Sequence, residues 1–194
     1  MNVEQVLNEF KKSGALLEGH FILSSGLHSD KFLQKALVFQ DAKRTAKLCK
    51  ALAAKVRAEV KTEFTAIVSP AVGGIVPGYE MGRQLGLPAM YVERVEGKFQ
   101  LRRNFRLAKN QPVLMVEDII TTGLSSRECL EAIRAAGGKP VAAACLIDRS
   151  GGKAKVGVKL VALAEWKVKA WEAGKLPSHL RGIPAVKPGS RGLA

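Results

Sequence analysis

The stretch Val113 to Ser126 reads VLMVEDIITTGLSS. Four apolar residues open it, as suits a strand buried on both faces of a sheet. Two adjacent acids follow, Glu117 and Asp118, and then a hydroxyl-rich turn around Gly123 that leads into a run with helical spacing. A turn that ends a strand and opens a helix lies at the carboxyl end of a parallel sheet, where open α/β folds bind ligands. The backbone N–H groups from Thr121 to Ser125 then carry partial positive charge at a helix start and can wrap a phosphate. Thr121, Thr122, Ser125 and Ser126 add hydroxyl donors, and Gly123 lets the backbone approach the anion. Two carboxylates would repel that phosphate unless they face another part of the ligand. The vicinal hydroxyls of a ribose are such a part: Glu117 and Asp118 would accept their hydrogen bonds and favour positive charge developing on the sugar ring. The stretch therefore reads as a site for a ribose 5-phosphate group. It lacks the lysine ending of a P-loop and the GxGxxG of a dinucleotide site. The plain alternative is a buried strand followed by a helix capped by Thr121 or Thr122.

The chain on either side supplies the matching fold. Upstream, Ala66 to Ser69 reads as a short buried strand. Pro70 to Gly74 reads as a tight loop, and a helix follows to Leu85, stopped by Gly86 and Pro88. Ala89 to Glu93 is the next strand. The segment from Arg94 to Lys109 is basic and without periodicity, the mark of a functional or mobile loop. Downstream, a helix from about Leu124 to Ala136 closes at Gly137-Gly138, and strands follow at Val141 to Asp148 and Lys159 to Ala164. Strands alternating with helices predict an α/β fold, an open, mainly parallel twisted sheet with helices on both faces. Before this core, Val3, Val6, Leu7 and Phe10 mark a short helix to Lys12. The runs His20 to Leu23 and Lys31 to Val38, joined by SSGLHSD, predict a hairpin. Asp41 is the expected N-cap of a helix to about Ala58. The expected organisation is a single domain over residues 1–194: a helix-and-hairpin hood at 1–40, the ligand-binding core at 60–165, and a basic segment at 166–194.

Length and composition agree with one globular domain. The 194 residues are 47% apolar, and no apolar run approaches the roughly 18 residues that span a membrane. The first residues, MNVEQVLNEFKKSG, lack the apolar centre of a signal peptide. Cys49, Cys129 and Cys145 stand in apolar contexts and read as buried thiols of a cytoplasmic protein. The net charge of +14 is concentrated: Ser150 to Ala194 holds nine Lys and Arg against two Glu, and Glu93 to Lys109 six against two. Such charge suits a phosphorylated small molecule or a nucleic acid, or it is a solvated basic surface, the preferred reading for the tail.

VLMVEDIITTG resembles the phosphoribosyl diphosphate (PRPP) motif of the type I phosphoribosyltransferases, and the resemblance extends over nearly the whole chain. GHFILSSGLHSDKFLQKAL, SPAVGGIVPGYEMG and CLIDRSGG bring it closest to the orotate-using branch, with FILSSGLHSDKFLQ pointing to orotate. The resemblance implies transfer of phosphoribose from PRPP to orotate, with Mg²⁺ as cofactor. The metal would be held mainly by substrate and water, with no dedicated protein ligands. It also implies a homodimer whose basic loop closes over the neighbouring site, and neither a membrane nor a nucleic acid as partner. Rival readings are transfer to another base, or a PRPP-binding regulator that binds nucleic acid without turnover.

Residue by residue, the resemblance implies a PRPP site of Glu117, Asp118, Ile119, Ile120, Thr121, Thr122, Gly123, Leu124 and Ser125. Val72, Gly73 and Gly74 of the pyrophosphate loop join it, as does Arg94. Many orotate enzymes carry a lysine in that loop where this chain has Gly73, so that contact is missing or supplied elsewhere. Catalysis is assigned to Asp118 and Glu117 and to the loop cations Lys98, Arg102 and Arg103, which would neutralise departing pyrophosphate, with Gly97 as a hinge. Lys98 is the first choice, although the Lys-Asp-His segment of better-known members is absent. Orotate is assigned to Thr121, Arg149, Phe32 and Ser24; a guanidinium fork suits a planar, anionic ring. Here Leu33 replaces a second aromatic and Ser24 a lysine common in relatives, and Phe32 reads equally as core. His20, His28 and His179 receive no role, and Trp166 and Trp171 are expected to pack.

Overall fold

The expected alternation of strand and helix runs through the computed structural model, which describes residues 1–23 and 25–188. The chain begins with α1 (Val3–Lys12), β1 (Leu16–Ile22), β2 (His28–Leu33), α2 (Ala36–Phe39) and α3 (Ala42–Glu59). The core follows as β3 (Ala66–Pro70), α4 (Ile75–Leu85), β4 (Ala89–Val95), β5 (Lys98–Leu101), β6 (Pro112–Ile120), α5 (Leu124–Ala135), β7 (Lys139–Asp148) and β8 (Lys159–Glu165). Six strands form one open sheet in the order β5-β4-β3-β6-β7-β8, parallel throughout except for the β4–β5 edge.

The core explains why these segments pair as they do. Residues of β3, β6 and β7 alternate between two apolar layers, as a doubly covered sheet requires. Ile67, Leu114, Val116 and Leu146 pack with Leu48, Leu52 and Val56 of α3 and Met81 of α4. On the opposite face Val68, Met115 and Cys145 pack with Cys129, Leu130 and Ile133 of α5. Fully burying one such side chain contributes about 1.5–3 kcal/mol. Helix ends follow local chemistry: Asp41 accepts from the Arg44 N–H at 3.0 Å, and Gly86 closes α4 at φ 73°.

Sheet order sets the place of the site. From β3 the chain crosses through α4 to β4 on one side, and from β6 it crosses through α5 to β7 on the other. The carboxyl ends of β3 and β6 therefore flank a topological switch point, the crevice in which open α/β sheets bind ligands.

Three expectations are corrected. The second hairpin strand ends at Leu33, and Ala36–Phe39 turn into α2, because a short apolar run is compatible with either state. The segment after Arg94 is partly ordered: β4 runs on to Val95 and returns as β5, with Gly97 (φ 82°) in the turn between them. The third core strand does not stop at the acids; β6 continues to Ile120, held by pairing with β7 up to Ile120–Asp148.

The C-terminal segment, unassigned from sequence, borders the β1–β2 hairpin on both edges. Trp171 bridges His28, and Val186 bridges Phe21. The Ser29 hydroxyl donates to the Lys169 carbonyl at 2.8 Å. His20 Nδ1 lies 2.7 Å from the Ile183 carbonyl, and its Nε2 lies 2.6 Å from His28 Nδ1. These two histidines join the hood to the tail. Trp166 packs against the main core.

Candidate active site

Both helices that leave the switch point open without a capping side chain. Gly74 precedes α4, and Gly123, left-handed at φ 74°, precedes α5. The Thr122 hydroxyl accepts a long contact, 3.4 Å, from the Leu124 N–H, and the other first-turn N–H groups of α5 remain available to an anion. Beside the start of α5 lies a cavity of about 470 Å³, within the size range of small-molecule sites.

The two acids lie within β6, so their side chains leave on opposite faces of the sheet. Glu117 faces the cavity and accepts a hydrogen bond from the Ser126 hydroxyl. Burial pushes its carboxyl up to about 7; the Ser126 hydrogen bond pulls the other way, and the neighbouring Asp118 charge adds to the rise. Ser126, expected to face a phosphate, is instead fully buried and holds Glu117. Asp118 is only 1% exposed. The Lys35 ammonium covers it, with Nζ 2.9 Å from Oδ1 in hydrogen-bond geometry and 2.7 Å from Oδ2. Gly73 presses on the same pair. A Cβ there would overlap the Asp118 carboxylate and stand 2.8 Å from Lys35 Nζ, which explains the absence of a side chain.

Glu117, Ile119, Ile120, Thr121, Thr122, Gly123, Leu124 and Ser125 line the cavity, joined by Arg94, Phe32 and Arg149 from distant parts of the chain. Arg149 follows β7 on a loop pinned by the Asp148 carboxylate, which accepts from the N–H groups of Ser150 and Gly152. Its Nε is buried with no hydrogen-bond partner, and among the described residues it joins no ion pair. Burial alone lowers its pKa. A desolvated guanidinium without a counterion is costly and awaits an anionic ligand.

A phosphoribosyl transferase domain is recognised over residues 38–176. The orotate phosphoribosyltransferase of Parvibaculum lavamentivorans is 66% identical over the full length of both chains, and that of Maricaulis maris 64%. The crystal structure of orotate phosphoribosyltransferase from Aeropyrum pernix covers 82% of this chain and 93% of its own, at 27% identity and a TM-score of 0.71. The chain belongs to the orotate phosphoribosyltransferase family. Its open, mainly parallel sheet is the fold of that family.

Asp118, the loop at 72–74 and the cations Lys98, Arg102 and Arg103, all expected at the site of this phosphoribosyltransferase, lie outside the cavity lining. Val72, Gly73 and Gly74 form the loop after β3; Val72 is 82% exposed. Lys98 projects from the exposed start of β5. Because β5 runs antiparallel to β4, Arg102 and Arg103 lead back from the ligand edge, roughly 3.4 Å per residue. Both are tied to Glu93, Arg103 through two contacts of 3.0 Å. Arg94 faces the cavity; it is held by Glu128 and stacks 4.1 Å over the Phe99 ring. Ser24 lies outside the described residues.

Lys35 is a site residue that the sequence pattern does not mark, and Ser126 meets Glu117 rather than a phosphate. Lys35 stands in the apolar context FLQKALVF, where no local pattern marks a ligand. Ser126 stood among other hydroxyls, and only the turn of α5 decides which one faces inward.

Proposed function

We propose that the protein transfers the 5-phosphoribosyl group of PRPP to orotate, giving orotidine 5′-phosphate and pyrophosphate, a step of pyrimidine synthesis. The observation that carries the choice of base is Arg149, a part-buried guanidinium whose Nε has no partner and which lines, with Phe32, the cavity entered by the phosphate-ready turn. An anionic, planar ring satisfies both groups; a neutral purine would leave the guanidinium unpaired.

The N–H groups of 121–125 would hold the 5-phosphate, and Glu117 and Asp118 the ribose hydroxyls. The loop at 72–74 would hold pyrophosphate through the uncapped start of α4. As the bond from C1′ to the pyrophosphate oxygen breaks, its electron pair leaves with pyrophosphate. The orotate N1 then bonds to C1′, and its N–H proton passes to the departing pyrophosphate. Positioning and electrostatics supply the catalysis, and no covalent nucleophile is required.

Among the described residues no group of three His, Cys, Asp or Glu could enclose a metal. The cavity-facing carboxylate of Glu117 and a diphosphate substrate fit Mg²⁺, which keeps most of its waters and binds few protein oxygens. When bound with PRPP it would supply charge neutralisation of the diphosphate.

Val72, Val76 and Tyr79 expose apolar surface along the pyrophosphate loop and α4. This patch supports a homodimer, in which the Lys98 hairpin would reach a neighbouring site. Sedimentation tests the assembly: a monomer at micromolar concentration would refute it. Three free, buried cysteines suit a reducing cytoplasm. Among the described residues no helix is long and apolar enough to cross a membrane.

Purified protein given PRPP, Mg²⁺ and a panel of bases should consume orotate. Rapid use of a purine with none of orotate would overturn the assignment. Salt-sensitive binding of nucleic acid with no turnover of any base would favour a regulator instead.

A further inference from the structure

We propose that Lys35 is a substrate-contacting cation that changes partner, from Asp118 in the empty site to the pyrophosphate group of bound PRPP. This rests on the phosphoribosyl-transfer reading. Among the described residues three cations line the cavity: Lys35, Arg94 and Arg149. Arg94 is committed to Glu128, to the Gly97 carbonyl and to the Phe99 ring. Arg149 follows the carboxyl end of β7, beside Ile120, and is assigned to the base. Among the described residues Lys35 pairs with Asp118 alone, and the two are buried unequally: the lysine side chain is 43% exposed and the aspartate 1%. The ammonium therefore stands between the carboxylate and the crevice. A ribose hydroxyl can donate to Asp118 only where Lys35 gives way.

The place to which it gives way is adjacent. Gly73 belongs to the loop before the uncapped start of α4, and a Cβ on it would stand 2.8 Å from Lys35 Nζ. An anion received by that loop meets the ammonium directly. Lys35 then lies between the ribose carboxylate and the pyrophosphate loop, the position of the bond that breaks. It remains protonated throughout: the electron pair of the C1′–O bond leaves on pyrophosphate, and the fixed positive charge stabilises it there. In the empty site the same charge keeps buried Asp118 paired.

The test is calorimetric titration of inorganic pyrophosphate with Mg²⁺ into wild type, Lys35→Gln and Lys35→Arg, beside steady-state turnover. Glutamine retains a donor for Asp118 but loses the charge. Lys35→Gln should weaken pyrophosphate by about tenfold or more and lower kcat by about 10²-fold. The KM for orotate should stay within about twofold, since Arg149 holds the base, and arginine should restore pyrophosphate affinity. A second comparison separates contact from support. Adding Lys35→Gln to Asp118→Asn should again weaken pyrophosphate by about tenfold. No change there, or wild-type affinity in Lys35→Gln, overturns the proposal. Failure of wild type to turn over PRPP and orotate would instead remove the phosphoribosyl reading and leave the Lys35 result standing as anion binding alone.

Discussion

Glu117 makes the stability of this protein pH-dependent in a direction opposite to that of most carboxylates. Its side chain is buried, and its pKa rises from 4.5 to about 7. In the unfolded chain the proton leaves near 4.5, whereas in the folded chain it stays until about 7. Between those values the native state binds more protons than the unfolded state, so stability falls as pH rises. A shift from 4.5 to about 7 corresponds to about 3 kcal/mol, at 1.36 kcal/mol per unit. The full contribution is present below pH 4.5 and is gone above about pH 8. Glu117→Gln removes the titration and keeps the shape. Urea denaturation of both proteins from pH 4.5 to 8 isolates the effect, because every other titrating group is common to the two. Wild type should lose about 3 kcal/mol relative to the glutamine variant across the window. A difference that stays flat would refute the burial argument, and one that grows the other way would mean that Lys35 outweighs desolvation. Under the proposed reaction function would run against stability: the ionised form, the less stable fold, would be the better acceptor of ribose hydroxyls. PRPP affinity should accordingly rise through pH 7 in wild type more than in Glu117→Gln.

Other outcomes follow from the same geometry. Asp118→Asn should lower turnover by two or more orders of magnitude, roughly the cost of one preorganised charge contact, with an unchanged circular dichroism spectrum; near-normal kcat would remove its role. Arg149→Leu should raise the KM for orotate by roughly 10–100-fold while pyrophosphate inhibition is unchanged. Its urea midpoint should not fall, because a part-buried guanidinium with no counterion among the described residues gains nothing from its burial. Lys98→Ala should slow kcat more than Arg102→Ala does, since Glu93 already engages Arg102. If the hairpin serves the neighbouring subunit, mixing Lys98→Ala with Asp118→Asn protein should recover turnover that neither shows alone. The absence of recovery would place the hairpin at its own site.

Much of the fold was legible because its signals are local. The buried runs Ala66–Ser69 and Val113–Glu117, the stops at Gly86 and Gly137, and the Asp41 cap each depend on a few adjacent residues. Where the sequence misled, two structures satisfied the same pattern. KALVF is apolar enough for a strand, yet it closes a helical turn under the hood. The basic segment lacks periodicity because β5 has four residues, too few to show one. The extent of β6 was hidden because polar Glu117 and Asp118 read as the end of a buried strand; pairing with β7 carries it past them.

By itself the sequence determined that VLMVEDIITTGLSS is a strand, a glycine turn and a helix start, with two acids and a set of hydroxyls at the ligand edge of a parallel sheet. Backbone propensity and apolar patterning act over a few residues and can be read there. Only the tertiary structure decided what each group faces. It turned Ser126 onto Glu117, set Lys35, from 83 residues away, over Asp118, left Gly73 no room for a side chain, and buried the Arg149 Nε without a partner. Those outcomes depend on strand order and on the pleat that sends neighbouring side chains to opposite faces. Burial and charge pairing between distant segments arise only once the sheet is assembled.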